Sequence, residues 1–212
     1  MTTPTRPVII ESCVESLEEA TRAAKNGAHR LELCARLDLE GLTPSTALIS
    51  ATQALGLPIK VMIRPRAGDF SYDTEEKALI ANHIENIKTE GIRHIVYGSL
   101  KDGRLDIDDL KTVYKQADPI SMTIHKAIDQ SEAPLKDVLE LVKWAHLDKV
   151  NLAILSSGQA ATAMEGAFRL QRMQQLCKDE IELIVAGKVT PKNLEQLKMI
   201  IPAPAFHGRK IV

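Results

Sequence analysis

Along almost its whole length the chain alternates between short apolar runs with a period of two and longer amphipathic stretches with a period near 3.6. The short runs read as eight strands: Val8–Cys13, His29–Cys34, Pro58–Arg66, His94–Gly98, Ser121–Asp129, Lys149–Gly158, Ile181–Gly187 and Ala205–His207. Seven helical stretches separate them, and local signals mark where they begin and end. Ser16-Leu-Glu-Glu19 spells a capping box, and the helix it opens closes at Asn26-Gly27. Thr43-Pro44 and Thr190-Pro191 each offer an N-cap followed by proline at the first helical position, and the helix after the former runs to about Leu55-Gly56. Asp73-Thr-Glu-Glu76 caps a long helix ending near Gly91. The others follow Asp106, span Pro134–His146 and span Ala161–Lys178.

Strict β-α alternation demands a parallel sheet, and eight such units close most naturally into a (β/α)8 TIM-type barrel. A doubly wound open sheet is the rival, but it usually carries a glycine-rich turn after its first strand. Here that turn is Ser12-Cys13-Val14-Glu15-Ser16, without glycine. No composition break or linker interrupts residues 1–212, so the barrel is a single domain. Only Gly208–Val212 follows the last strand, so the final helix is missing. The outer face of strands eight and one should then be under-covered. Such an apolar patch usually becomes an interface, which predicts a homo-oligomer, most simply a dimer, covering that side or adjacent helices.

Strand parity decides which side chains enter the barrel. In His29–Cys34 the leucines Leu31 and Leu33 face the helical layer, while Arg30, Glu32 and Cys34 face the other way. The same reading collects Glu11, Cys13, Glu32, Cys34, Arg64, Arg66, His125, Asp129, Ser156, Ser157 and His207 near the C-terminal ends of the strands, the active face of such barrels. Cys13 and Cys34 fall at equivalent positions on adjacent strands ~4.8 Å apart. Two thiolates there could bracket a soft ion such as copper(I), with Met62 close by, if their sulfurs came within roughly 4–5 Å; alternatively both are small buried hydrophobes. Cys177 has no partner and packs.

Glu11 and Glu32 are expected one layer below the cysteines. They could raise each other's proton affinity as an acid/base pair, or form a core ion pair with Arg64 or Arg30. Arg64 and Arg66 flank Pro65 at a strand end, where arginine can hold a carboxylate or phosphate; one of them could instead fix the loop, perhaps through Asp69. His125 is a candidate proton carrier or simply a hydrogen-bonded core histidine. Asp129, Ser157 and His207 would line the pocket.

Composition narrows the partners. Hydrophobic residues make up 44% of the 212 but aromatics only 3%, so Leu, Ile, Val and Ala must fill the core. A formal net charge of −1 without a basic stripe argues against nucleic acid or an anionic membrane. Three cysteines do not make a secreted disulfide framework, MTTPTRP lacks a leader's apolar core, and no apolar run reaches membrane-spanning length. A cytoplasmic protein is expected.

Six ordered motifs then carry a resemblance: ELC with EGLTPS, IRPRAGDFSYD, IHKAID, SSGQAATAMEG, VAGKVTPKNL and the terminal FHGRK. In this order, from about Glu11 to Lys210, they resemble the CutC family. The resemblance implies a (β/α)8 barrel, in some members without the final helix, and a link to copper homeostasis with copper bound through Cys13 and Cys34. The chain departs from the family pattern at Leu39-Glu40-Gly41, Ala67-Gly68, Ile124-His125-Lys126 and the contracted Gly187-Lys188 turn. That contraction weakens the case for a phosphate-bearing ligand, since such turns hold phosphate on backbone amides.

Two functional classes follow. One is a cytosolic copper(I)-binding protein. The other is an enzyme on a small anionic metabolite, with Glu11 and Glu32 as acid and base, Arg64 as anion anchor and His125 as a second proton carrier.

Overall fold

The computed structural model describes residues 7–117 and 121–212; the MTTPTR segment at the start lies outside them. Eight strands form a closed parallel barrel in chain order. They are β1 Ile9–Val14, β2 Arg30–Leu33, β3 Ile59–Met62, β4 His94–Tyr97, β5 Ser121–Ile124, β6 Leu152–Ser156, β7 Glu182–Val185 and β8 Ala205–Gly208, and β8 closes onto β1. Helices α1 Leu17–Lys25, α2 Thr46–Gln53, α3 Thr74–Thr89, α4 Ile107–Ala117, α5 Pro134–Asp148, α6 Ala167–Cys177 and α7 Pro191–Ile200 alternate with them. The main core lies between barrel and helices, where Leu31, Leu33, Ile63, Ile95, Ile124, Leu183 and Phe206 are buried. No described helix is long and apolar enough to cross a membrane.

Several boundaries differ from the sequence pattern for local reasons. Ser45, not Thr43, caps α2, accepting from Leu48 N at 3.3 Å. The Thr43 hydroxyl instead accepts from Arg64 N at 2.9 Å and donates to Arg64 O at 3.1 Å, tying the loop after β2 to the end of β3. Ser16 caps α1 as expected, but Glu19 folds back to Glu15 N rather than to its own cap residue. Strand β5 stops at Ile124, and residues Lys126–Gln130 form a 3-10 turn, so the in-phase reading through Asp129 fails there. Helix α6 begins at Ala167 rather than Ala161. Gly166 passes so close to Ser157 that a Cβ on it would sit 1.9 Å from Ser157 O. A short antiparallel pair, Leu100–Lys101 with Arg104–Leu105, was not anticipated; its signal is Asp102-Gly103, both at positive φ as a tight hairpin turn requires.

Among the described residues no helix follows β8, and the tail fills that place. The C-terminal tail folds over the seam between β8 and β1, leaving Ile211 1% and Phe206 0% exposed. The exposed large apolar side chains (Leu17, Leu79, Leu139, Leu147, Phe168 and Met199) lie on helices, not on that seam. The seam itself is covered, and the apolar side chains left exposed nearest to it in the chain, Leu17 and Met199, belong to the adjacent helices α1 and α7.

Candidate functional site

One half of the barrel interior is apolar and the other is charged. Ile9, Ala153, Leu155, Ile184, Ala186 and Ala205 pack the first half. In the second, Glu11 is 0% exposed and sits among three cationic groups. Lys60 Nζ is 3.0 Å from its Oε2, His207 Nδ1 is 2.9 Å from its Oε1, and Arg30 Nε donates to Oε2. Arg30 also reaches Glu182 on β7 at 3.1 Å, and Lys60 donates to the Thr123 hydroxyl at 3.0 Å. Burial alone would raise the Glu11 pKa, but Lys60, His207 and Arg30 together hold it well below the usual carboxylate range. Glu11 is thus the ionised centre of a core ion-pair cluster. Arg30 supplies the predicted partner; Arg64 does not.

The ladder corrects the expected layering. Cys13 stands level with Glu32, and Glu11 level with Arg30 on one side and His207 on the other. Cys34 lies one step beyond the end of β2. The two sulfurs nevertheless approach to 3.8 Å, closer than the expected limit required. Met62 and Val96 pack with them under Leu37. Cys34 Sγ is also 3.5 Å from Glu32 Oε1, and His207 Nδ1 is 3.2 Å from Glu32 Oε2.

These neighbours push the titrations apart. The Cys34 thiol, hydrogen-bonded to Cys13, brings the Cys13 pKa down to about 6, against the opposing effect of burial and with help from His207. The same hydrogen bond and burial raise Cys34 well above the ordinary thiol value. Burial raises Glu32 to about 8, while Glu32, Cys13 and Glu11 raise His207 well above an ordinary histidine despite its burial. Glu11 and Glu32 are therefore not a symmetric pair. Cys13, Glu32 and His207 form the cluster of donor atoms compact enough to hold a metal ion, all within 4.8 Å of one another among the described residues.

Above this cluster opens a cavity of about 320 Å³, lined among others by Cys13, Glu32, Cys34, Arg64, Phe70, His125, Lys126, Asp129 and His207. Arg64 and His125 both line it, each just beyond the end of its strand. Arg66 does not: its guanidinium is taken by Glu76, by Asp69 at 3.0 Å and by Ser71 O at 2.8 Å, the loop-fixing role foreseen for one of the pair. Ser157 is buried outside the cavity lining and, with Ser156, is bonded to Asp129. Lys60 and Phe70 were missed. Lys60 had a signal, being in phase with Met62 and Arg64; Phe70 sits in an irregular loop and had none.

Fold and mouth together define a (β/α)8 barrel protein with paired thiols beside a buried carboxylate–histidine cluster. The chain belongs to the CutC family, whose model matches residues 8–211. A CutC family protein of Agrobacterium fabrum is 34% identical over 203 residues, covering 95% of this chain and 79% of that protein. The human copper homeostasis protein cutC homolog is 32% identical over 201 residues, covering 94% of this chain and 72% of the human one. The crystal structure of a CutC protein from Streptococcus agalactiae superposes with a TM-score of 0.88 at 25% identity, covering 97% of this chain and all of that one.

Proposed function

We propose that this protein binds copper(I) at Cys13 and Cys34 as part of cytosolic copper handling. The observation that carries this reading is the 3.8 Å approach of the two sulfurs, which pack against Met62. Soft thiolates are the ligands copper(I) prefers, and a neighbouring thioether suits it as well. With metal–sulfur bonds of about 2.3 Å, sulfurs 3.8 Å apart subtend an angle near 110°, which is bent and leaves room for a third donor. Metal binding displaces the thiol protons, and Cys13, whose pKa is already brought down to about 6, gives its proton up most readily. Three free cysteines suit a reducing compartment, and the family relatives named for copper homeostasis support the same reading.

The test is anaerobic copper(I) competition against a calibrated chelator with the wild type, Cys13→Ser and Cys34→Ser. Binding should be one to one, and each variant should weaken it by at least about a hundredfold, the upper end of what second-shell substitutions cost a metal site. Equal affinity in wild type and both variants removes copper as the ligand of this pair.

A further inference from the structure

The lining of the same cavity presents two buried donors without acceptors. Arg64 is 2% exposed and forms no ion pair among the described residues. Its Nη1 and Nη2 atoms donate to three backbone carbonyls, Leu39 O at 3.2 Å, Gly41 O at 3.4 Å and Gly68 O at 2.9 Å, which fix the plane of the guanidinium. Its Nε is buried and has no hydrogen-bond partner among the described residues. A buried cation is normally paired with an anion, and here the protein supplies none.

His125, 4% exposed, makes the second donor. Its Nδ1 accepts from Ala127 N at 3.1 Å, so the ring proton resides on Nε2, and Nε2 is likewise buried without a partner. Burial and the charge of Arg64 bring its pKa down to about 3, which keeps the ring neutral. The ring is packed in place: it lies 4.6 Å from the Phe70 ring, which also carries the Arg64 guanidinium at 4.8 Å. Gly98 makes room beneath it, since a Cβ there would come within 2.7 Å of the imidazole.

We infer that Arg64 and His125 form a binding site for a small oxyanion, the carboxylate or phosphate group of a small metabolite. A guanidinium and a neutral imidazole that line one cavity, each with an N–H left unpaired, suit two oxygens of a single group. Lys126 and Gln130 stand on the rim of the same cavity. The carboxylate oxygens of Asp129, which also lines it, are already engaged by Ser156, Ser157 and Gln159. A volume of about 320 Å³ is at the small end of ligand pockets, which admits a small acid or sugar phosphate and excludes a polymer. The remainder of such a ligand would lie toward Cys13 and Glu32, so this site is distinct from the thiol pair but shares its cavity.

The test uses the full chain, free of copper, with 13C-labelled histidine, titrated separately with malonate and inorganic phosphate at constant ionic strength against chloride. The His125 Cε1–Hε1 signal should shift saturably with at least one of them below about 10 mM, a weak-ligand affinity. Arg64→Met should weaken this by about tenfold or more, as loss of a charge-assisted hydrogen bond implies. Because Arg64 also fixes loop carbonyls, Gly98→Ala, which displaces the imidazole and leaves Arg64 untouched, is read for the same loss from its effect on anion-dependent protection against unfolding. A response to malonate alone assigns a carboxylate, and one to phosphate alone a phosphate. A shift that chloride reproduces, no saturation, or equal affinity in both variants overturns the site. With copper absent throughout, this result and the copper competition fail independently.

Discussion

Glu11→Gln is expected to destabilise the protein by ~3–5 kcal/mol, the range found when one partner of a buried ion cluster is removed. The substitution keeps shape and volume but deletes the charge that three cationic groups share, Arg30, Lys60 and His207. Glu182, 3.8 Å from Lys60, and Glu32, 3.2 Å from His207, cannot replace it. The deficit should depend on pH in a fixed direction. Folding holds Glu11 ionised to lower pH than in the unfolded chain. Its contribution is therefore complete above the unfolded carboxylate value of about 4.3 and is lost as pH falls through the lower folded value. Urea unfolding of wild type and variant across that range measures the gap. Adding Lys60→Met to Glu11→Gln should return part of the stability, because it removes one of the stranded charges. A deficit under ~1 kcal/mol at neutral pH would show that the cluster is far better solvated than its burial implies.

The barrel itself was legible because its period is local. Strands of four to six residues bounded by capped helices announce themselves in sequence, and seven helices between eight strands leave little choice of topology. Inward parity was also legible within each strand, which is why Glu11, Cys13 and Glu32 were found; Arg64 and His125, just past their strand ends, reach the cavity although the ladder no longer enforces the phase. What parity cannot give is the stagger between strands. Cys13 pairs with Glu32 and not with Cys34, a two-residue offset set by how the closed sheet shears. The sulfurs meet only because Cys34 projects from beyond its strand.

Strand ends were harder still. Beyond Ile124 and Met62 the chain leaves the sheet, and alternation loses its meaning there. Arg66 continues the phase of Arg64 in sequence, yet it turns outward to Glu76, whose position depends on the cap of α3. His207 was ranked as a minor lining residue because a short terminal strand carries little pattern. Closure of β8 onto β1 places it against both Glu11 and Glu32. Such contacts between residues nearly 200 positions apart exist only once the barrel closes.

Asp129 shows the same effect most plainly, and it yields the second large expectation. Sequence phase made it a pocket-lining ligand group. In the structure its carboxylate is a clamp on the loop after β6, accepting from Ser156 Oγ at 2.6 Å, Ser157 N at 2.8 Å, Ser157 Oγ at 3.1 Å and Gln159 N at 2.9 Å. Gln159 is held there at φ 57°, a left-handed backbone that a non-glycine residue keeps only when its surroundings enforce it. Asp129→Ala removes the acceptor from two backbone N–H groups, one of them in the 1%-exposed Ser157. At ~1–3 kcal/mol for each unsatisfied group, partly relieved by loop rearrangement, the loss should be about 2–4 kcal/mol. Asp129→Asn should lose nearly as much, because its amide must turn an N–H toward one of the two backbone donors. Denaturant midpoints give the stabilities, and faster hydrogen exchange at Ser157 and Gln159 would locate the damage. A group that only touched ligand would behave in the opposite way. Its removal would leave the midpoint and the exchange rates unchanged and would appear only as weaker anion or copper binding, and that outcome would return Asp129 to the pocket.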